Sequence, residues 1–121
     1  IRLSLVGSEM CIRDSLYDTI EPGIEAARKK LGNRPVYISV DLDGFSPAVL
    51  PGTGTPEPGG LNWEDFLRIL DGFASNQVIG ADVVELLPAI DPGGNSATFA
   101  ARIARMLLLR ILLKNSGSQS A

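Results

Sequence analysis

The chain has 121 residues, 45% of them hydrophobic and 21% charged, with a formal net charge of −3. That is the composition of one soluble globular domain or a piece of one. No run of Lys and Arg with interleaved aromatics points to nucleic acid, the greasiest segment (106–113) is too short to cross a membrane and carries Arg110, and a chain with no histidine builds neither a His-based triad nor a His-ligated metal site alone.

Residues 1–15 stand apart from the rest. The run Ser4-Leu5-Val6-Gly7-Ser8-Glu9-Met10-Cys11-Ile12-Arg13-Asp14-Ser15 resembles a translated adapter sequence of the kind found at the ends of sequencing reads. It is set aside as a non-native segment. Cys11, the single cysteine, falls inside it. No intramolecular disulfide is possible, and a reducing, cytoplasmic setting fits.

From residue 16 the pattern is regular. Glu21-Pro22-Gly23 opens a helix, with Pro in the first turn where its missing N–H costs nothing. Ile24, Ala27 and Leu31 recur at helical spacing, and Gly32 is the stop. Arg28, Lys29 and Lys30 complement the dipole at that end. Pro35 leads into Val36-Tyr37-Ile38-Ser39-Val40, a near-continuous β-branched and aromatic run suited to a covered parallel strand. Residues 44–60 form a long loop dense in Gly and Pro, which predicts a functional and ordered segment. Asn62 is an N-cap with Asp65 as its capping-box partner. Trp63, Phe66, Leu67, Leu70 and Phe73 form the apolar stripe of the helix that follows.

Residues 78–86 read as the next strand, carrying Asp82 and Glu85, and 88–94 as a loop. Asn95 or Ser96 caps a final helix to about residue 113, with Phe99, Ile103, Met106, Leu107, Arg110 and Ile111 along it. Residues 115–121 are a polar, fraying tail. The order helix, strand, helix, strand, helix predicts an α/β fold in three α/β/α layers around a mostly parallel sheet.

The chemistry concentrates at the end of the first apolar strand, in Ser39-Val40-Asp41-Leu42-Asp43-Gly44-Phe45-Ser46-Pro47. Strand alternation sends Asp41 and Asp43 to one side. Two like charges there repel and resist burial, and a bound cation is the simplest means of keeping both ionised. Carboxylates favour hard ions such as Mg²⁺ or Mn²⁺, and ligands in α/β sheets bind beyond the carboxyl ends of strands. An apolar strand ending in Asp-x-Asp-Gly is also used by dehalogenase-type phosphatases, although Phe45-Ser46-Pro47 departs from that continuation. A non-catalytic α/β binding domain is the third reading.

The continuation separates these. Ser39-x-Asp41-x-Asp43, Pro47, Pro51-Gly52-Thr53-Gly54-Thr55-Pro56 and Gly59-Gly60-Leu61 together resemble the ureohydrolase family of arginases, agmatinases and guanidinobutyrases, most of all its bacterial agmatinases. The likeness covers roughly residues 16–113 and corresponds to the C-terminal part of a longer domain. It implies an arginase-like fold, with residues 16–114 as its C-terminal part, two Mn²⁺ ions, hydrolysis of a guanidino compound such as agmatine, and a homo-oligomeric parent (trimer or hexamer) in polyamine metabolism. By the same resemblance Asp41 bridges the two ions and Asp43 binds one. Thr55 lines the substrate pocket, and Glu85 pairs with the guanidinium. Ser46 stands where the family usually has a further aspartate. The two histidines and two more aspartates of the family's metal site have no counterpart in this chain. The expectation is therefore a fragment with little or no activity alone.

Overall fold

The computed structural model describes residues 2–3 and 20–117, with side chains described over 20–113. In chain order it contains β1 (Arg2–Leu3), α1 (Ile20–Leu31), β2 (Val36–Asp41), a 3₁₀ turn (Leu42–Gly44), α2 (Trp63–Gly72), β3 (Val78–Val84), a second 3₁₀ turn (Pro88–Ile90) and α3 (Asn95–Gly117). The sheet order is β1-β2-β3 and both pairings are parallel. The α/β class and the parallel sheet predicted from the sequence hold. Of residues 1–15, set aside above as adapter-like, only Arg2 and Leu3 are described, and they pair with β2; the rest, Cys11 included, lies outside the described residues.

Ile38, Val40, Ala81 and Val83 share one face of the sheet. They pack on a core that includes Leu42, Phe45, Leu50, Phe66, Leu70, Ile103 and Leu107. A second cluster of Leu31, Val36, Phe73 and Val78 closes the opposite end of the strands. The register explains how Val78 reaches it. Val36 pairs with Val78 but Tyr37 with Gly80, so Ile79 is an extra residue. That bulge keeps Val78 inward and leaves Ile79 exposed. On the other face Asp82 accepts hydrogen bonds from the Ser39 hydroxyl (2.6 Å) and the Tyr37 hydroxyl (3.0 Å).

Cap chemistry sets the start of α2 as predicted. The Asn62 side chain accepts the Asp65 amide at 2.9 Å, and the Asp65 carboxylate accepts the Asn62 amide at 3.1 Å. The rings of Phe45, Phe66, Phe99 and Trp63 then lock α2, α3 and the loop after β2 together. Phe45 meets Phe99 edge-on at 5.3 Å, and Trp63 meets Phe99 likewise at 5.4 Å.

Two boundaries and one cap differ from expectation. β3 stops at Val84 rather than 86, because Glu85 adopts φ 67°, which no strand can continue. α3 runs to Gly117 rather than 113; neither Gly nor Pro occurs from 95 to 116 to stop it. Neither Asn95 nor Ser96 caps α3 with its own side chain. The Asp91 carboxylate accepts the Ser96 amide instead (2.6 Å), satisfying one of the orphan donors of the first turn. Among the described residues no helix is long and apolar enough to cross a membrane.

Candidate active site at the strand ends

Asp41 is the last residue of β2, and the strand ends there. Asp43 sits in the 3₁₀ turn that follows. Simple strand alternation therefore does not bring the two acids together, contrary to the expectation. A local turn does: the Asp41 Oδ1 accepts the Asp43 amide at 3.0 Å. Aspartate favours this geometry because its short side chain reaches the backbone two residues on. Both carboxylates are only partly buried, as groups at a strand tip should be.

The long loop is ordered because its ends are tied. Phe45 bridges Leu61, the Leu61 amide donates to Gly44 (2.9 Å), and the Ser46 amide donates to Leu61 (2.9 Å). Gly60 lies so close to Phe45 that an added Cβ would fall 2.4 Å from its carbonyl carbon, so no other residue fits. Ser46 opens a turn. Its carbonyl accepts the amides of Val49 (2.9 Å) and Leu50 (3.0 Å). Farther along, the Thr55 amide (3.3 Å) and hydroxyl both donate to the Asp43 carboxylate. Thr55 and Asp43 are thus in direct contact.

Glu85 follows β3 directly. Val84 is the register partner of Asp41, so Glu85 leaves the sheet beside the acid pair. Glu85 is exposed at the sheet end. Among the described residues it is the one non-glycine with positive φ. Such backbone strain, of order 1–3 kcal/mol, persists only where the surroundings over-determine it, and it clusters at functional sites. The flanks supply that constraint. β3 holds Val84 on one side. On the other, Leu86 forms an antiparallel bridge with Thr53, and the Leu87 amide donates to the Gly52 carbonyl at 2.8 Å. Thr53 is 1% exposed.

Of the four residues singled out in the sequence, Asp41, Asp43 and Thr55 are joined by hydrogen bonds at the tip of β2, and Glu85 follows the neighbouring tip of β3 without a hydrogen bond to them. Two others were not foreseen. Ser96, 0% exposed, accepts the Gly52 amide through its hydroxyl oxygen (2.8 Å), and Asp91 holds Ser96. The Ser96 hydroxyl, then its amide, keep the Asp91 carboxyl below its ordinary range, against a smaller opposing effect of burial. The only sequence signal was the acid ahead of α3 and the hydroxyl in its first turn, which reads as ordinary capping. Among the described residues no group of three or more His, Cys, Asp or Glu could hold a metal ion. Asp41 and Asp43 offer hard oxygen donors at one place, which suits part of a divalent-cation site rather than a whole one.

Comparison with known proteins gives four concordant findings. The arginase family model matches residues 9–109. Guanidinobutyrase from Pseudomonas aeruginosa is 40% identical over 104 residues, 86% of this chain and 31% of that protein. Proclavaminate amidinohydrolase from Streptomyces clavuligerus is 46% identical over 81 residues, 67% of this chain and 26% of that one. Among solved structures, a hypothetical agmatinase from Burkholderia thailandensis superposes with a TM-score of 0.73 at 34% identity, over 94% of this chain and 34% of the other. The chain spans about a quarter to a third of the length of these relatives.

Proposed function

Because the chain belongs to the arginase family, we propose that it is the C-terminal part of a binuclear manganese ureohydrolase acting on a small guanidino compound, with agmatine as the first substrate to test. The observation that carries this reading is the hydrogen-bonded set of Asp41, Asp43 and Thr55 at the tip of β2, with the strained Glu85 following the adjoining tip of β3. The phosphatase reading of Asp41-x-Asp43-Gly44 is not pursued, since the family match spans both acids.

In this reading Asp41 and Asp43 are the residues of this chain that would hold the metal ions, through their carboxylate oxygens. When bound, two divalent ions supply Lewis acidity and lower the pKa of water towards neutrality. Glu85 accepts two N–H bonds from the planar guanidinium, which fixes both the position and the charge of the substrate. Thr55 lines the pocket and, through its bonds to Asp43, ties the substrate side to the metal side. Water adds to the guanidine carbon, the bond from that carbon to the alkyl nitrogen breaks, and the departing amine takes a proton. The products are urea and, from agmatine, putrescine. The remaining ligands come from the longer enzyme, so the chain alone releases little or no urea. The longer enzyme is read as cytoplasmic and homo-oligomeric; the exposed Leu108, Leu109, Leu112 and Leu113 of α3 offer an apolar surface for assembly.

The test is urea release from agmatine by the longer enzyme. Activity that is lost on chelation, restored by Mn²⁺ and abolished in Asp43→Asn supports the assignment. Absence of urea with Mn²⁺ present, or release undiminished after chelation, overturns it.

A further inference from the structure

The structure assigns Asp91 and Ser96 as positioning residues: with Gly52 between them and the strand ends, they clamp Glu85 in its left-handed conformation and hold the loop that bears Thr55. The inference builds on the functional reading above, but its geometry stands on different residues. A set of hydrogen bonds runs from the start of α3 to Gly52 and Leu87, which lie three and two residues from Thr55 and Glu85 along the chain. The Asp91 carboxylate accepts the Ser96 amide. The Ser96 hydroxyl oxygen accepts the Gly52 amide. The Gly52 carbonyl accepts the Leu87 amide, and Leu87 closes the loop back to Asp91 through the turn in which the Asp91 amide donates to Pro88 (3.1 Å).

Glu85 lies between two fixed points, the β3 pairing at Val84 and the Thr53–Leu86 bridge. The second of these depends on the placement of Gly52 and Thr53. Gly52 is packed so tightly that a Cβ there would lie 2.7 Å from both Cβ and Oγ of Ser96 and 3.1 Å from Cβ of Asp91. Both the shape and the hydrogen bonds of the site are therefore set by Asp91 and Ser96. Removing the Ser96 hydroxyl leaves the Gly52 amide without its buried acceptor, a loss that a loop cannot absorb without moving. The strain at Glu85 is then free to relax. Neither residue is assigned contact with substrate or metal, so the effect reaches the reaction through Glu85 and Thr55 alone.

The experiment uses the longer enzyme, with Ser96→Ala, Asp91→Ala and Asp91→Asn. Asn keeps an oxygen for the Ser96 amide and is the conservative rescue. Hydrogen exchange is followed in peptides covering residues 50–55 and 86–91, with kinetics on agmatine alongside. The expected result is exchange at least tenfold faster in both peptides for Ser96→Ala and Asp91→Ala, with β2 and β3 unaffected. KM rises about tenfold while kcat changes less, and Asp91→Asn stays near the parent in both readouts. Unchanged exchange, or faster exchange with an unchanged KM, overturns the clamp. If Ser96→Ala does not fold, the contrast between Asp91→Ala and Asp91→Asn decides. If the unsubstituted enzyme releases no urea, the functional reading fails, and exchange alone then supports or overturns the clamp.

Discussion

Replacing Glu85 by Gly should move stability and activity in opposite directions. At φ 67° an L-residue sits in the left-handed region at a cost of roughly 1–2 kcal/mol, and Gly removes that cost. Gly also gives the unfolded chain more freedom, worth about 0.4–1 kcal/mol against the variant. The balance is about 0–1.5 kcal/mol in favour of Glu85→Gly, so its thermal midpoint stays level or rises by a few degrees. Glu85 is exposed and contributes no packing to set against this. Activity should collapse. A hydrogen bond to a charged group is worth about 1.5–3 kcal/mol, a bidentate pair makes two of them, and kcat/KM should fall by at least about 100-fold. Glu85→Gln separates the effects, since it keeps the strain and loses the charge: its midpoint is unchanged and its activity drops. Calorimetry and urea release on the longer enzyme check both arms. A midpoint several degrees lower in Glu85→Gly would mean that the backbone there is not strained. An unaltered kcat/KM would mean that this carboxylate does not meet the substrate.

Asp41→Asn and Asp43→Asn should each lower manganese content, measured by elemental analysis, and cut activity by more than the roughly 10–100-fold typical of groups that only support a ligand. Asn62→Ala removes the capping box of α2 and should cost about 1 kcal/mol in thermal unfolding while leaving KM unchanged, because the bonds it loses run to Asp65 and not to Asp41, Asp43, Thr55 or Glu85. Asp91 has its carboxyl held below its ordinary range by Ser96. A depressed folded-state value contributes stability above the unfolded value and loses it as pH falls through the folded one. The parent should therefore lose stability in acid over that interval, and an unfolding-versus-pH series on Asp91→Asn should lack that component.

What the sequence made legible was chemistry that is local. Asn62 and Asp65 announce a helix start because both bonds of a capping box close within four residues. Asp41 and Asp43 announce a charged strand tip for the same reason, although the turn between them, not pleating, sets their geometry. Val36 to Val40 and the stripe of Phe66 and Leu70 follow from burial periodicity. The features that hold the site together were out of reach because their partners are distant in sequence. Gly52 meets Ser96 across 44 residues, and the conformation of Glu85 depends on a bridge between Thr53 and Leu86. Nothing in the local text around Glu85 signals a positive φ; the side chain does not favour it, and only tertiary constraint imposes it. Ser96 resembled a cap because Ser before a helix usually is one, whereas here its hydroxyl is turned to another loop.

The most direct measurement is a crystal structure of the longer enzyme grown with Mn²⁺, with anomalous differences collected at the manganese edge. The account predicts a peak in contact with the carboxylates of both Asp41 and Asp43, with the Glu85 side chain facing the same space. Manganese bound away from these two acids, or none bound at all in an active crystal, would contradict it.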